Sequence, residues 1–223
     1  MTSLTPVLEL APGRFSLRER PNPGVSMAEN PQGWLQYWSE SLEDAGIVGL
    51  TPWQPGSWLV PLRAISDAHV LRTILLRTFD DFAERDADEI GPLLGGFVLA
   101  HGEAHILPGC CGDLANLENW QQAAAHADDC WTMVWIGHPW THVRASGDLL
   151  QFAQPADESV GPADLVECMR LQRQSLVRAI DEAARELDLL TDQLMPIIRG
   201  FKPRAVASRF VDILVRGHGH GSQ

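Results

Sequence analysis

The order of apolar and polar positions predicts helices on both sides of a strand-rich middle region. Apolar residues recur at helical spacing across residues 34–46 and 66–85, and a long helical pattern covers 165–190. Ser66 is a good N-cap for the second of these helices. Pro196 is expected to interrupt the helical pattern, and Pro203 is expected to open a last helix.

The middle region, residues 95–152, has the short apolar runs and turn signals of β-strands. Residues 97–107 and 140–152 are each predicted to form a hairpin. Asp113 is placed to cap a helix ending near residue 125, and the apolar run 131–136 is typical of a central strand. The order ββαβββ predicts an α+β fold with a mainly antiparallel sheet, flanking helices and a helical C-terminal region.

Length and composition are consistent with one domain. The 223 residues, 45% of them hydrophobic, suffice for a proper core. We therefore expect a single α+β domain over residues 1–223, with three parts. These are an irregular, Trp-rich N-terminal region at 1–62, a helix plus sheet core at 63–155, and a helical C-terminal region at 161–216.

Charge and cysteine content narrow the classes of partner and the compartment. A net charge of −12 disfavours nucleic-acid binding, which depends on Lys and Arg, and suits a basic protein partner. No apolar run approaches the roughly 20 residues of a membrane span. The four cysteines show no disulfide framework, so a reduced, cytoplasmic protein is expected. The long helical pattern is compatible with a homodimer.

A metal site is the first chemical hypothesis for the middle region, which is rich in Cys and His. Its spacing lacks a CxxC knuckle and an HExxH pair, so no metal or other cofactor is expected. His101 and His105 straddle the first predicted turn, which leaves a weaker histidine site open. The weak candidate ligands are His101, His105, Cys111 and His138.

A cysteine nucleophile is the second hypothesis. Cys110 and Cys111 directly precede the helix capped by Asp113, and His101 or His138 is the base such chemistry would require. Cysteines are also among the residues most often buried, and on that ground the pair is expected in the core. A metal- or thiol-dependent enzyme using Cys110, Cys111 and His138 is the alternative functional hypothesis. No serine-hydrolase, dinucleotide or P-loop motif occurs.

Two aromatic groups suggest binding. In the segment WIGHPW, Gly137 and Pro139 fix a sharp turn that can present neighbouring side chains at a surface. A cluster containing Trp34 and Trp58 either forms a platform for a small ligand, as in a sensor, or ties the N-terminal region to the core. The candidate binding residues of the middle region are Trp135, His138, Trp140, Cys110, Cys111 and Asp113.

The stretch GGFVLAHGEAHILPGCCGDLANLENW, followed by WIGHPW and a hairpin through Gly147-Asp148, resembles small bacterial proteins of unassigned function. More loosely it is similar to the SUKH superfamily of SMI1/KNR4-like proteins, many of which are immunity proteins against toxins. The resemblance implies an α+β domain that binds and blocks a toxin without catalysis. The leading hypothesis is therefore a non-catalytic bacterial protein that binds another protein.

Overall fold

The computed structural model describes residues 1–24, 26–157 and 159–218. Within these ranges the chain contains both α-helices and antiparallel sheets, which confirms the predicted α+β class. The strands are β1 (Thr2–Glu9), β2 (Leu59–Pro61), β3 (Gly95–His101), β4 (Ala104–Ile106), β5 (Thr132–Val134), β6 (Thr141–Ser146), β7 (Leu149–Ala153) and β8 (Glu167–Gln172). The α-helices are α1 (Pro12–Phe15), α2 (Pro31–Asp44), α3 (Ala68–Thr78), α4 (Leu117–Ala125), α5 (Arg173–Arg199) and α6 (Arg204–Arg216).

The strands form two four-stranded sheets. The first has the order β2-β1-β3-β4 and the second the order β5-β6-β7-β8. The chain also divides into two compact units. The first unit contains Met1–Pro6 and Leu94–Leu189, and the second contains Val7–Leu93 and the chain from Leu190 on. Strand β1 and helix α5 contribute residues to both units, and the second sheet lies entirely within the first unit.

The second sheet is a meander of antiparallel strands with one buried face. Its register pairs Val143 with Phe152 and Leu150 with Leu171, and all four side chains are buried. Helix α4 covers this face, and its Trp120 ring lies 6.0 Å from the Phe152 ring. Because side chains alternate across a strand, the neighbouring positions point to the opposite face of the sheet.

The core of the second unit is aromatic. The Phe82 ring makes edge contacts with the rings of Phe201 at 5.7 Å and Phe210 at 5.9 Å. Helix α6 contributes Phe210, Val211 and Leu214 to this core. The helix begins directly after Pro203, as predicted. Within the described ranges, none of the helices combines the length and the apolarity needed to cross a bilayer.

The expectation of a helix over residues 165–190 was wrong at its start. Glu167–Gln172 is strand β8, in which Met169 and Leu171 are buried and Arg170 is exposed. This burial has the two-residue period of a strand, and the helical period begins only at Arg173. The predicted interruption at Pro196 was also wrong, because α5 continues to Arg199.

One helix and one strand also differ from the expectation. Helix α3 ends at Thr78 rather than near residue 85, and its N-cap is Asp67, whose carboxylate accepts from the His69 amide, rather than Ser66. The run 131–136 does not form a central strand. Strand β5 lies at the edge of the second sheet, and Val134 is the only residue of the strand that is buried. Five of the six residues of this run are apolar and the exception is Thr132, so the alternation that would mark an exposed side is weak.

Candidate functional site

The two turns singled out in the sequence, 109–113 and 137–140, lie against each other in the first unit. Cys110 and His138 form an isolated antiparallel bridge and exchange both backbone hydrogen bonds, at 2.8 and 3.0 Å. The Gly109 amide also donates to the Ile136 carbonyl at 3.0 Å. The bridge therefore joins two segments that are far apart in sequence into one rigid corner.

Glycines allow this close approach of two backbones. A Cβ added to Gly109 would lie 2.5 Å from the His138 carbonyl oxygen, and one added to Gly137 would lie 2.6 Å from the Cys110 carbonyl oxygen. Gly137 also has a φ of +99°, a conformation that side chains disfavour. The corner thus depends on residues with no side chain at two of its contact points.

The bridge brings a thiol, an imidazole and a carboxylate to one corner, here called the Cys–His corner: Cys110, His138 and Asp157. Residues that face each other in such a hydrogen-bonded antiparallel pair have Cα atoms about 5.5 Å apart and side chains on the same face. The Nε2 atom of His138 lies 2.9 Å from a carboxylate oxygen of Asp157. If Nε2 carries the proton that this contact requires, Nδ1 is left as the basic nitrogen.

The predicted burial of the cysteine pair was wrong. Cys110 and Cys111 are both exposed, because they occupy the centre of a turn closed by the Gly112 amide and the Gly109 carbonyl at 3.2 Å. Cys111 adopts a φ of +64°, which is uncommon for a residue other than glycine. Turns lie at surfaces, and that placement outweighs the general tendency of cysteine to be buried.

Asp113 is a structural cap, as its position in the sequence predicted. Its carboxylate accepts from the Ala115 amide at 2.8 Å, and its own amide donates to the Asn116 side chain at 2.9 Å. It caps a short 3₁₀ turn, Leu114–Asn116, which leads into α4. Burial raises the pKa of this carboxyl, and the hydrogen bonds it accepts oppose that rise.

Beside the corner, β5 and β6 form a partly open area on the second side of the sheet, here called the aromatic face. It is a ladder of three cross-strand pairs contributed by β5, β6 and the residues directly flanking them. The rungs are Trp131 with Arg144, Met133 with His142, and Trp135 with Trp140.

Contacts within the ladder hold its side chains in place. The Arg144 guanidinium lies 4.4 Å from the centre of the Trp131 ring. The rings of Trp135 and Trp140 lie 6.1 Å apart, and the His138 ring packs edge-on against Trp140 at 4.8 Å. Met133 and Trp135 nevertheless remain 49% and 50% exposed. The aromatic face is thus ordered and open at one edge of the sheet, and it adjoins the Cys–His corner.

Two polar atoms of this face lack hydrogen bonds. The indole Nε1 of Trp140 and the Nδ1 of His142 are buried and have no partner among the described residues. Burial lowers the pKa of His142, and a hydrogen bond with the Trp140 backbone opposes that effect. Buried polar groups are normally hydrogen-bonded, but this feature is not confined to the aromatic face, since the buried indole nitrogens of Trp58 and Trp120 also have no partner among the described residues.

His101 and His105 do not come together as the histidine metal site that the sequence left open. His105 pairs with Ala100 and His101 pairs with Ala104, which places the two imidazoles on opposite faces of the β3–β4 hairpin. His101 instead bonds the Thr2 hydroxyl at 2.8 Å. No group of three or more potential metal-binding side chains occurs within residues 1–24, 26–157 and 159–218.

The Trp34 and Trp58 cluster lies in the second unit. The two rings are 6.4 Å apart, and Trp34 also makes an edge contact with Tyr37 at 5.6 Å. Trp38 is fully buried, and its indole N–H donates to the Leu10 carbonyl at 2.9 Å. This hydrogen bond attaches helix α2 to the end of β1. It agrees with the alternative in which the tryptophans of this region tie it to the core.

No protein-family model matches the sequence, and neither a curated protein nor a solved structure is similar to it.

Sequence analysis missed Asp157, Met133 and Arg144 as members of the site. Asp157 reaches His138 through a contact between side chains that no local pattern predicts. Met133 and Arg144 belong to the aromatic face through the register of β5 and β6 and the ring contact with Trp131. Once 131–136 is paired with the second hairpin, alternation along both strands identifies these two residues.

Proposed function

We propose that the chain is a non-catalytic protein-binding protein that binds its partner through the aromatic face. The observation that carries this proposal is that Met133, on the edge strand β5, and Trp135, directly after it, are both half-exposed. Other large side chains of the second sheet, such as Phe152 and Met169, are buried. An ordered apolar surface left open to water is typical of an interaction site.

The composition of the aromatic face supports recognition of a protein. Trp, Met and Arg are enriched at protein interfaces, and Trp and Arg are the residues that most often dominate the binding energy. The Arg144 guanidinium is already stacked on Trp131, so little side-chain freedom remains to be lost on binding. Contact with a partner would also remove Met133 and Trp135 from water, which favours the complex by roughly 25 cal/mol per Å² of apolar area.

The partner in this proposal is a toxin, and the chain is its cytoplasmic immunity protein in a bacterium. The resemblance of residues 95–152 to the SUKH superfamily suggests this finer assignment. The net charge of −12 supports it for a basic toxin, because opposite charges speed association and favour the correct partner. The assignment predicts a toxin gene beside this gene, and growth of cells that produce the encoded toxin tests it directly. The chain should restore growth, and a chain with a disrupted aromatic face should not.

Site-specific crosslinking tests the location of the binding surface. A photo-crosslinking amino acid is placed at Met133 in the producing cells, and the same group is placed at Val48 as a matched control. Val48 is 70% exposed and lies in the second unit. We expect one partner to be captured from position 133, to be absent at position 48, and to bind the purified chain.

Equal capture at both positions, or capture at position 48 alone, would contradict the proposed surface. The variant Trp135→Ser, with the crosslinker still at position 133, is the second control. Its capture yield should fall, because Trp135 would supply the largest apolar contact of the edge strand. An unchanged yield would show that the captured protein does not recognise the aromatic face.

A further inference from the structure

The Cys–His corner points to chemistry that protein binding does not need. Cys110 is exposed and faces His138 across a bridge made of two backbone hydrogen bonds. His138 is half-exposed, and its Nε2 contacts Asp157. We propose that Cys110 is a site of reversible thiol modification by small disulfides, with His138 as the base and Asp157 as the residue that positions the base.

The geometry of the backbone bridge identifies His138 as the base for Cys110. The backbone pairing of Cys110 and His138 directs both side chains to the same face of the bridge, and it does not depend on either side chain. Asp157 binds Nε2, so the opposite ring nitrogen is the one available to the thiol. A thiol beside a suitably oriented base is the arrangement by which cysteine is activated.

The reaction balances with a small disulfide such as glutathione disulfide as the oxidant. The Cys110 thiol transfers its proton to His138, and the resulting thiolate attacks one sulfur of the disulfide. The sulfur–sulfur bond of the reagent breaks, and a new one joins Cys110 to one half of it. The other half leaves as a thiolate and takes up the proton. A second thiol reverses the step by the same exchange.

A cleft lies next to the residue that positions the base. It has a volume of about 350 Å³, in the range of small-molecule sites, and is lined by Pro139, Ala156 and Asp157, among others. Of these lining residues, Asp157 contacts His138. Cys111 is the adjacent residue, but a bond between the two thiols is disfavoured. Neighbouring Cα atoms lie 3.8 Å apart, below the usual disulfide range of 4.4–6.8 Å.

Cys130 provides a matched control in the same chain. It is also exposed, but its neighbours are Asp128 and Asp129, and its thiol contacts the Asp129 carboxylate at 3.7 Å. Negative charge disfavours a thiolate, whereas a base next to the thiol favours it. The two exposed cysteines can thus be compared in one sample, in a chain that also carries His126→Gln, because the His126 Nε2 lies 3.4 Å from the Cys130 carbonyl oxygen.

The experiment measures the rate of glutathione adduct formation at each cysteine by mass spectrometry of peptides, in a Cys111→Ser/His126→Gln chain treated with glutathione disulfide at neutral pH. We expect Cys110 to react about tenfold faster than Cys130. His138→Gln should reduce the Cys110 rate to about that of Cys130. Asp157→Asn should reduce it in part, and Asp157→Glu should restore it. Added thiol should remove the adduct.

Several results would overturn the proposal. One is equal rates at Cys110 and Cys130, and another is a Cys110 rate that His138→Gln leaves unchanged. A third is a Cys110→Ser chain that still forms an adduct at Cys111 as fast as the natural chain does, because the reactive thiol would then be Cys111 and not Cys110. Circular dichroism of each variant shows whether the fold is kept, and an unchanged Cys130 rate provides the internal check. The measurement needs no partner, so its outcome is independent of the proposed binding function.

Discussion

One contact between a cation and an aromatic ring in each unit shows the same chemistry in a buried and in an exposed setting. In the second unit, Lys202 is 8% exposed, and its ammonium group lies 4.7 Å from the centre of the Phe210 ring. The ammonium also donates to the backbone carbonyls of Ala83, at 2.7 Å, and Arg85. In the first unit, Arg144 stacks on Trp131 at the surface, next to the half-exposed Met133.

This difference separates structural from functional use of the same chemistry. A buried cation must be paired and hydrogen-bonded, and Lys202 meets that demand within its own unit. The aromatic face instead leaves the apolar area of Met133 and Trp135 in water. That exposure does not stabilise the isolated chain, so we infer that the face serves contact with another molecule.

Gly137→Ala should cause the largest loss of stability. Its Cβ would lie 2.6 Å from the Cys110 carbonyl oxygen, at a φ of +99°. We expect the free energy of unfolding to fall by about 3 kcal/mol, from left-handed strain and overpacking together. Gly147→Ala is the control, because it has a φ of +59° and open space around it. It should cost only about 1 kcal/mol. Equal losses in urea titrations would show that the corner is not tightly packed.

Lys202→Met tests the buried cation of the second unit. The apolar chain fills a similar volume, but the carbonyls of Ala83 and Arg85 lose their donor. We expect the free energy of unfolding to fall by about 2 kcal/mol, the cost of leaving buried acceptors unsatisfied. Arg199→Met, at an exposed position of α5, is the control and should change stability by less than about 0.5 kcal/mol. A stable Lys202→Met chain would mean that the interaction is not structural.

Trp135→Ser should leave the stability of the free chain almost unchanged. The side chain is half-exposed and packs mainly against Trp140. The same urea titration should show a change of about 0.5 kcal/mol or less. A loss as large as that of Lys202→Met would assign the aromatic face a structural role and remove the contrast between the two units.

The pH dependence of stability tests the surroundings of His142. Burial lowers the pKa of this imidazole from its ordinary value of 6.5. The unfolded chain therefore binds more protons than the folded chain below that pH, so His142 makes the protein less stable as pH falls from about 6.5. His142→Asn should flatten the curve of unfolding free energy against pH in that window. His69→Asn, on an exposed histidine, should not. An unchanged slope in His142→Asn would place the imidazole in an open environment.

Local signals in the sequence predicted much of the fold. Asp113 was predicted as a cap, the hairpin of β6 and β7 as a pair of strands, and Pro203 as a helix start, because each depends on neighbouring residues. The start of α5 was harder, since the strand-like alternation of Met169 and Leu171 is short and a long helical pattern follows it.

The candidate site was less predictable because it is assembled from distant segments. Cys110 and His138 were both named as candidates, but their pairing is a long-range backbone contact. Asp157 was missed for the same reason. The exposure of Met133 depends on which face of an almost entirely apolar run is covered, and only the packing of the sheet decides that.

The affinity of the captured partner for the purified chain tests the central claim most directly. Calorimetric titration compares the natural chain with Met133→Ser/Trp135→Ser and with Leu17→Ser/Val48→Ser, a control at two exposed apolar residues of the second unit. If the aromatic face holds the partner, the first double variant should bind about 100-fold more weakly, and the control should bind as the natural chain does. Unchanged affinity in the first variant, or equal losses in both, would contradict the account.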